Sequence, residues 1–231
     1  MQLKDEYIHI AWDLATRWEA VEPTVHRTPV PLAVVQSMVA IAWNLGWKRW
    51  CGVTCLAFFG IARIGEVLSC KRSELLLPVD LVDDTNNSVF LLLRRSKTSF
   101  RQAAKMQHLK ITHPVAVRII DAVYSDFLPG VFLFHGSPSV YRKRWDALLR
   151  MLCFDLGQKL TPGGLRGGGA IEEYRKGSGI SDIQWRMRLK NLTTLEAYIQ
   201  EVAALSVMTS LSDLCVKRIK AASKLFPFLV S

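Results

Sequence analysis

The chain lacks most features that mark a secreted, membrane-spanning or metal-binding protein. Its five cysteines, Cys51, Cys55, Cys70, Cys153 and Cys215, are odd in number and hold no Cys-x-x-Cys pair, so neither a disulfide framework nor a zinc site is expected. The histidines, His9, His26, His108, His113 and His135, include no pair four residues apart, and Asp83-Asp84 reads as a turn, so no metal site is expected. The longest apolar run, Trp50 to Ala62, stops at Arg63, short of the roughly 20 residues a membrane span needs. The opening residues, Met1-Gln2-Leu3-Lys4-Asp5-Glu6, carry no apolar signal core. A soluble protein of a reducing, intracellular compartment is the expectation, nuclear in a eukaryote and cytoplasmic in a bacterium.

Acidic residues are also scarce. Asp and Glu number 20 against 30 Lys and Arg, giving a net charge of +10 and a pI near 9.6. Such an excess favours a polyanionic partner, nucleic acid or an acidic membrane surface, over a neutral one. A basic but merely solvated surface gives the same count. What is present is a globular balance: 231 residues, 50% hydrophobic and 22% charged, enough for one sizeable core or two small ones.

Residues 1–28 hold Trp12, Leu14 and Trp18 at loosely helical spacing, then a Pro-rich break, and read as a linker or the stump of a preceding domain. After Pro31, Leu32, Val35, Met38, Ala42 and Leu45 keep helical period and Gly46 is placed to end the helix. Trp50 to Ser69 reads as one long apolar helix, with Arg63 and Glu66, three apart, leaving its stripe together near the C-terminal end. An arginine there needs an anionic partner.

Val89–Leu93 is an apolar run and Gln107–Ile111 alternates, so a β-hairpin is predicted, its basic tip holding Arg94, Arg95, Lys97 and Arg101. Thr112-His113-Pro114 opens a helix that turns Ala116, Ile119, Ile120, Val123 and Phe127 inward, and Ser139 is placed to cap another bearing Trp145, Leu148, Leu149, Leu152 and Leu156. The exposed side of the latter carries Arg142, Lys143, Arg144 and Arg150, a phosphate-facing strip or a solvated face. Ser212 or Asp213 starts a final basic helix over 205–231, with Leu214, Ile219, Ala222 and Phe226 on one side.

Two boxes carry the chemistry. Thr161-Pro162-Gly163-Gly164-Leu165-Arg166-Gly167-Gly168-Gly169 places Pro162 at the first helical position and Arg166 at the front of a helix. Its glycines are no P-loop, since no Gly-Lys-Ser/Thr follows, and they imply close backbone approach to DNA or to another helix. Thr193-Thr194-Leu195-Glu196-Ala197-Tyr198 has a capping-box spacing that presents Tyr198 early in a helix.

In order, Arg63-x-x-Glu66, Lys97-Thr98, the Arg166 box and Tyr198, 32 residues after Arg166, resemble the catalytic domain of the tyrosine recombinases, the phage-integrase-like proteins. The resemblance spans residues 29–204. It implies an α+β, mainly α fold with a small antiparallel sheet, acting on double-stranded DNA without metal, nucleotide or other cofactor. It also implies that Arg63 and Arg166 clamp the scissile phosphate, that Tyr198 attacks it to give a 3′-phosphotyrosyl link, and that Lys97 protonates the departing 5′-oxygen.

Two positions depart from the family pattern. Gly163 stands where the arginine box usually has histidine, and Leu189 where histidine or tryptophan usually stands nine residues before the tyrosine. Arg186, Arg188 and Lys190 lie near enough in sequence to supply a replacement donor or to contact DNA. The resemblance further allows the C-terminal helix to dock on a second copy. The readings are therefore a DNA recombinase or integrase of mobile-element origin, a catalytically decayed DNA-binding relative, or a basic helical protein-interaction module with Tyr198 in its core.

Overall fold

The structure, a computed structural model, describes residues 27–81, 87–93, 107–155, 160–189, 195 and 206–230. Helix α1, Leu32–Asn44, follows Pro31 and ends at Gly46, whose φ of 74° is the left-handed conformation glycine adopts without strain. Helix α2, Lys48–Phe59, is buried throughout from Trp50 onward, because α1 and the helices Pro114–Tyr124 and Leu165–Arg175 pack around it. A helix apolar on every side is the expected form for such a position. Its buried Thr54 lies 2.6 Å from the Trp50 carbonyl oxygen and 2.8 Å from the Tyr141 hydroxyl, and Trp50 stacks on Tyr141 at 5.3 Å. The two contacts with Tyr141 tie α2 to the helix Pro138–Met151.

The single helix expected over Trp50–Ser69 is two. Ala62 N–H donates to Ala57 O at 2.9 Å and Ile61 N–H to Phe58 O at 3.2 Å, a Schellman closure with Ile61 at φ 53°. A left-handed residue other than glycine costs about 1–2 kcal/mol. Full burial of an isoleucine side chain returns about 1.5–3 kcal/mol, and Ile61 is 0% exposed. Burial wins, so the chain turns and Arg63 becomes the N-cap of a separate short helix, α3, Ile64–Leu68, with Glu66 in its first turn.

Three strands form one antiparallel sheet in the order β1 (Leu75–Leu76), β2 (Val89–Leu93), β3 (Gln107–Ile111). The predicted hairpin pairs Val89 with Ile111, Leu91 with Leu109 and Leu93 with Gln107. Although β2 is apolar at every position, only Val89, Leu91 and Leu93 are buried, so the two-residue period decides which face meets the core. Strand β1 is too short to leave a pattern in the sequence. It is held by Arg72, whose Nη2 binds both Asp80 oxygens at 2.8 Å while Nε and Nη1 donate to the Tyr124 and Leu75 carbonyls.

Helix α4, Pro114–Tyr124, buries Ala116, Ile119, Ile120 and Val123, as its period predicts. Helix α5, Pro138–Met151, is capped by Ser137 rather than Ser139: Pro138 occupies the first helical position, and Ser137 Oγ accepts from Val140 N–H at 3.3 Å. Helices α6, Leu165–Arg175, and α7, Ile180–Met187, follow, and α8, Asp213–Ser223, closes the chain with Ser212 as its cap. Helix α8 packs on α1, burying Cys215 and Ile219, with Ser37 Oγ 2.8 Å from the Ile219 carbonyl oxygen, while Phe226, expected on the same helix, is buried from the 3-10 turn that follows it. Leu214, expected on that face, is instead 52% exposed because Cys215 takes the inward position. Among the described residues no helix is long and apolar enough to cross a membrane.

One junction of α4 titrates. His113 caps α4, its Nδ1 accepting from Ala116 N–H, and its ring lies 4.4 Å from that of Phe59. Burial first, and the Lys176 charge second, hold its pKa below the ordinary 6.5. The unfolded chain therefore takes up the proton more readily, so stability is full above the unfolded value and falls as pH drops through 6.5 toward the lower folded value. Thermal unfolding between about pH 7.5 and 5.5 is expected to show a falling Tm, and His113→Ser, which keeps an acceptor for the cap, to flatten that slope.

Candidate phosphate site at the junction of α2 and α6

Helix α6 is rich in glycine, a poor helix former, and exists because of what it packs against. A Cβ on Gly164 would overlap the Thr28 carbonyl oxygen, one on Gly168 the Val30 carbonyl oxygen, and one on Gly169 the Phe58 carbonyl oxygen. Val30 N–H also donates to Gly164 O at 3.1 Å. The helix is thus seated, backbone against backbone, between the segment 28–30 and the last turn of α2. This answers what the glycines approach: the protein's own chain.

Arg166 lies in the first turn of α6 and is 3% exposed, preceded by a 3-10 turn over Pro162–Gly164. Thr161 makes no side-chain cap bond there, since the intervening 3-10 turn moves the helix start to Leu165. One turn after Arg166, Ala170 joins a small buried cluster with Ile61, Ile183, Met187 and Leu195, and Leu189 packs on its edge. Ile61 is two residues before Arg63, so the elements that carry Arg63 and Arg166 are locked together at this cluster. Leu195 brings the chain three residues before Tyr198 to the same place.

Glu66 is the carboxylate of the site. Its side chain is 8% exposed and binds two guanidiniums, Oε1 to Arg63 Nη1 at 3.1 Å and Oε2 to Arg188 Nη2 at 2.5 Å. Arg63 is 41% exposed and opens the group to the surface, whereas Arg188 is 14% exposed. Arg188 ends α7 in the left-handed conformation, φ 57° and ψ 39°, through the same closure that ends α2. A cleft of about 470 Å³ runs from Glu66 past Lys71 and Phe132 to Leu93, the end of β2 that leads to the hairpin tip.

The other expected contact residues separate by role. Arg186 is turned inward: it binds Glu173 at 2.5 Å and donates to the carbonyls of Phe59 and Lys110, tying α7 to α6, α2 and β3. On α5, Arg142 is exposed and paired with Asp146 at 2.8 Å, while Arg144 lies over the Trp47 ring at 5.2 Å. Tyr198, Lys97, Arg94, Arg95, Arg101 and Lys190 lie outside the described residues. Leu189, at a position where the resemblance expects a hydrogen-bonding ring, serves as apolar packing.

One neighbour escaped the sequence reading. Arg27 reaches over Gly163, so that its guanidinium fills the space a side chain at 163 would occupy. Residues this far apart leave no joint pattern. The bare glycine was the one available sign that something else stands there.

Three solved structures share this arrangement of elements. The crystal structure of XerA recombinase matches over 86% of this chain and 66% of that chain, with 19% identity and a TM-score of 0.53. The Tn1549 transposon integrase in complex with transposon right-end DNA matches over 81% and 66%, with 15% identity and a TM-score of 0.56. The XerH site-specific recombinase bound to difH substrate matches over 81% and 56%, with 13% identity and a TM-score of 0.54. The fold is tyrosine-recombinase-like. At these identities the likeness is one of fold, and the chain spans 56% to 66% of the length of those proteins. No protein-family model and no curated protein matches the sequence.

Within this tyrosine-recombinase-like fold the glycines should differ sharply in tolerance. Gly169→Ala sets a methyl against the rigid Phe58 backbone. It is expected to lower stability by about 2 kcal/mol, overpacking exceeding the gain in helix propensity. Gly163→Ala meets only the end of the Arg27 side chain, which can swing aside, and is expected to change stability by less than about 0.5 kcal/mol. Urea unfolding midpoints of the two variants check the contrast.

Proposed function

We propose that this protein cleaves and rejoins double-stranded DNA as a tyrosine recombinase, through a 3′-phosphotyrosyl intermediate. The observation that supports this reading is the buried cluster of Ile61, Ala170 and Leu195, which stand two, four and three residues along the chain from Arg63, Arg166 and Tyr198. Chain connectivity keeps Tyr198 within about 11 Å of Leu195. The cleft between Glu66 and Leu93 supports the same reading, because Lys97 follows Leu93 by four residues.

The chemistry follows from residue types. Arg63 and Arg166 neutralise the non-bridging oxygens of the scissile phosphate, and their fixed, always-charged forks favour the more charge-dense transition state. The Tyr198 oxygen forms a bond to phosphorus, its proton passing to solvent, while the bond from phosphorus to the 5′-oxygen breaks and Lys97 protonates that oxygen. Rejoining reverses each transfer. Glu66 sets Arg63 in place and is no proton carrier in this scheme.

A second reading, DNA binding without cleavage, is favoured by Gly163, which offers no side chain for proton transfer, and by Leu189, which offers no hydrogen bond. Losing a general acid–base group costs about 10²–10⁴-fold in rate, and losing a hydrogen bond to the transition state about 10²–10³-fold. Incubation with nicked, labelled duplex pools, resolved on a denaturing gel, separates the readings. A covalent adduct is expected with the native protein, none with Tyr198→Phe, and a yield reduced at least about 100-fold with Arg166→Ala. DNA binding that weakens steeply with salt but gives no adduct would favour the binder, and absence of both the interaction module.

A further inference from the structure

Three inward-turned arginines among the described residues fall into two kinds. Arg72 is saturated: Nε, Nη1 and Nη2 all donate to the Tyr124 carbonyl, the Leu75 carbonyl and Asp80. Arg186 likewise spends its two terminal nitrogens on Glu173 and on the carbonyls of Phe59 and Lys110. Both are internal ties. Arg188 differs. Its Nη2 donates to Glu66, but its Nε and Nη1 are buried with no acceptor among the described residues.

Three further facts bear on it. Desolvated donors on a permanent cation are costly to leave without acceptors, so such a group is kept where an acceptor arrives. The backbone at Arg188 is left-handed, a conformation in which glycine is the ordinary C-terminal residue, so the arginine is there in spite of the local backbone. Finally, Glu66 is shared: one carboxylate stands between two guanidiniums, leaving one net positive charge in the group, and Arg63 opens that group to the surface.

We propose that Arg188 is a third phosphate-binding arginine, whose buried Nε–H and Nη1–H donate to a non-bridging oxygen of a DNA phosphodiester beside Arg63. This rests on the DNA-acting reading above and deepens it. Glu66 then serves as a spacer that keeps two like charges in place until the phosphate joins them. Arg188 lies beside Leu189, and its guanidinium supplies from the neighbouring position a donor that the leucine side chain lacks.

The test is equilibrium binding of the full chain to a mixed-sequence 30-bp duplex, about 30 bp being ample for one protomer, followed by anisotropy from about 50 to 300 mM KCl. Arg188→Gly suits the left-handed backbone and removes only the side chain. It is expected to lower the slope of log K against log salt by about 0.9, one phosphate contact, while Tm stays within a few degrees of the parent. Arg188→Lys keeps the charge and should restore the slope. An unchanged slope in Arg188→Gly, with the parent protein strongly salt-dependent, would overturn the assignment and leave Arg188 as a structural tie for Glu66. If the parent itself shows no salt-dependent DNA binding, the DNA-acting reading falls, and this inference with it.

Discussion

The arrangement depends on backbone meeting backbone. Gly164, Gly168 and Gly169 let α6 approach the carbonyls of Thr28, Val30 and Phe58 more closely than any side chain would permit. That approach fixes the distance between α6 and the end of α2, and with it the spacing of the first turn of α6, where Arg166 sits, from the turn that precedes Arg63. Helix propensity works against this segment, and packing overrides it. A glycine-rich stretch that would fray alone is here among the most rigidly seated parts of the molecule.

Turns do the remaining positioning. Among the described residues, five helices end in a left-handed residue at the same place in the closure, and in two of them, at Gly46 and Gly177, the residue is glycine. In the others it is Ile61, Cys153 and Arg188. Two of those three flank the Glu66 group. Ile61 holds its conformation through full burial, and Arg188 through its ion pair. Two of the three strained positions among the described residues therefore sit beside these charged residues.

Much of this was readable from residue order alone. The period of α1, its stop at Gly46, the β2–β3 hairpin and the inward face of α4 follow from local pattern, since each element's pattern agrees with its packing. Arg63, Glu66 and Arg166 stood out because their spacing resembles a known order of boxes, and of these the structure joins Arg63 and Glu66 in an ion pair. The break at Gly60–Ile61 was not, because the apolar period runs through it and nothing in an isoleucine announces a positive φ. Arg186 and Arg188 looked equivalent in sequence, two basic residues two apart. Only the position of the α7 terminus sends one inward to Glu173 and the other to Glu66. Arg72 and Arg27 act over long sequence separations, which no window along the chain can register.

The seating of residues 28–30 on α6 has a mechanical consequence. The hydrogen bond from Val30 to Gly164 and the carbonyl contacts beside it make this segment a tether fastened to the first turn of the helix that carries Arg166. Tension applied to the chain upstream of Arg27 is delivered along that tether to α6. The entry segment is thus a drawbar, and whatever loads it pulls first on the helix that carries Arg166.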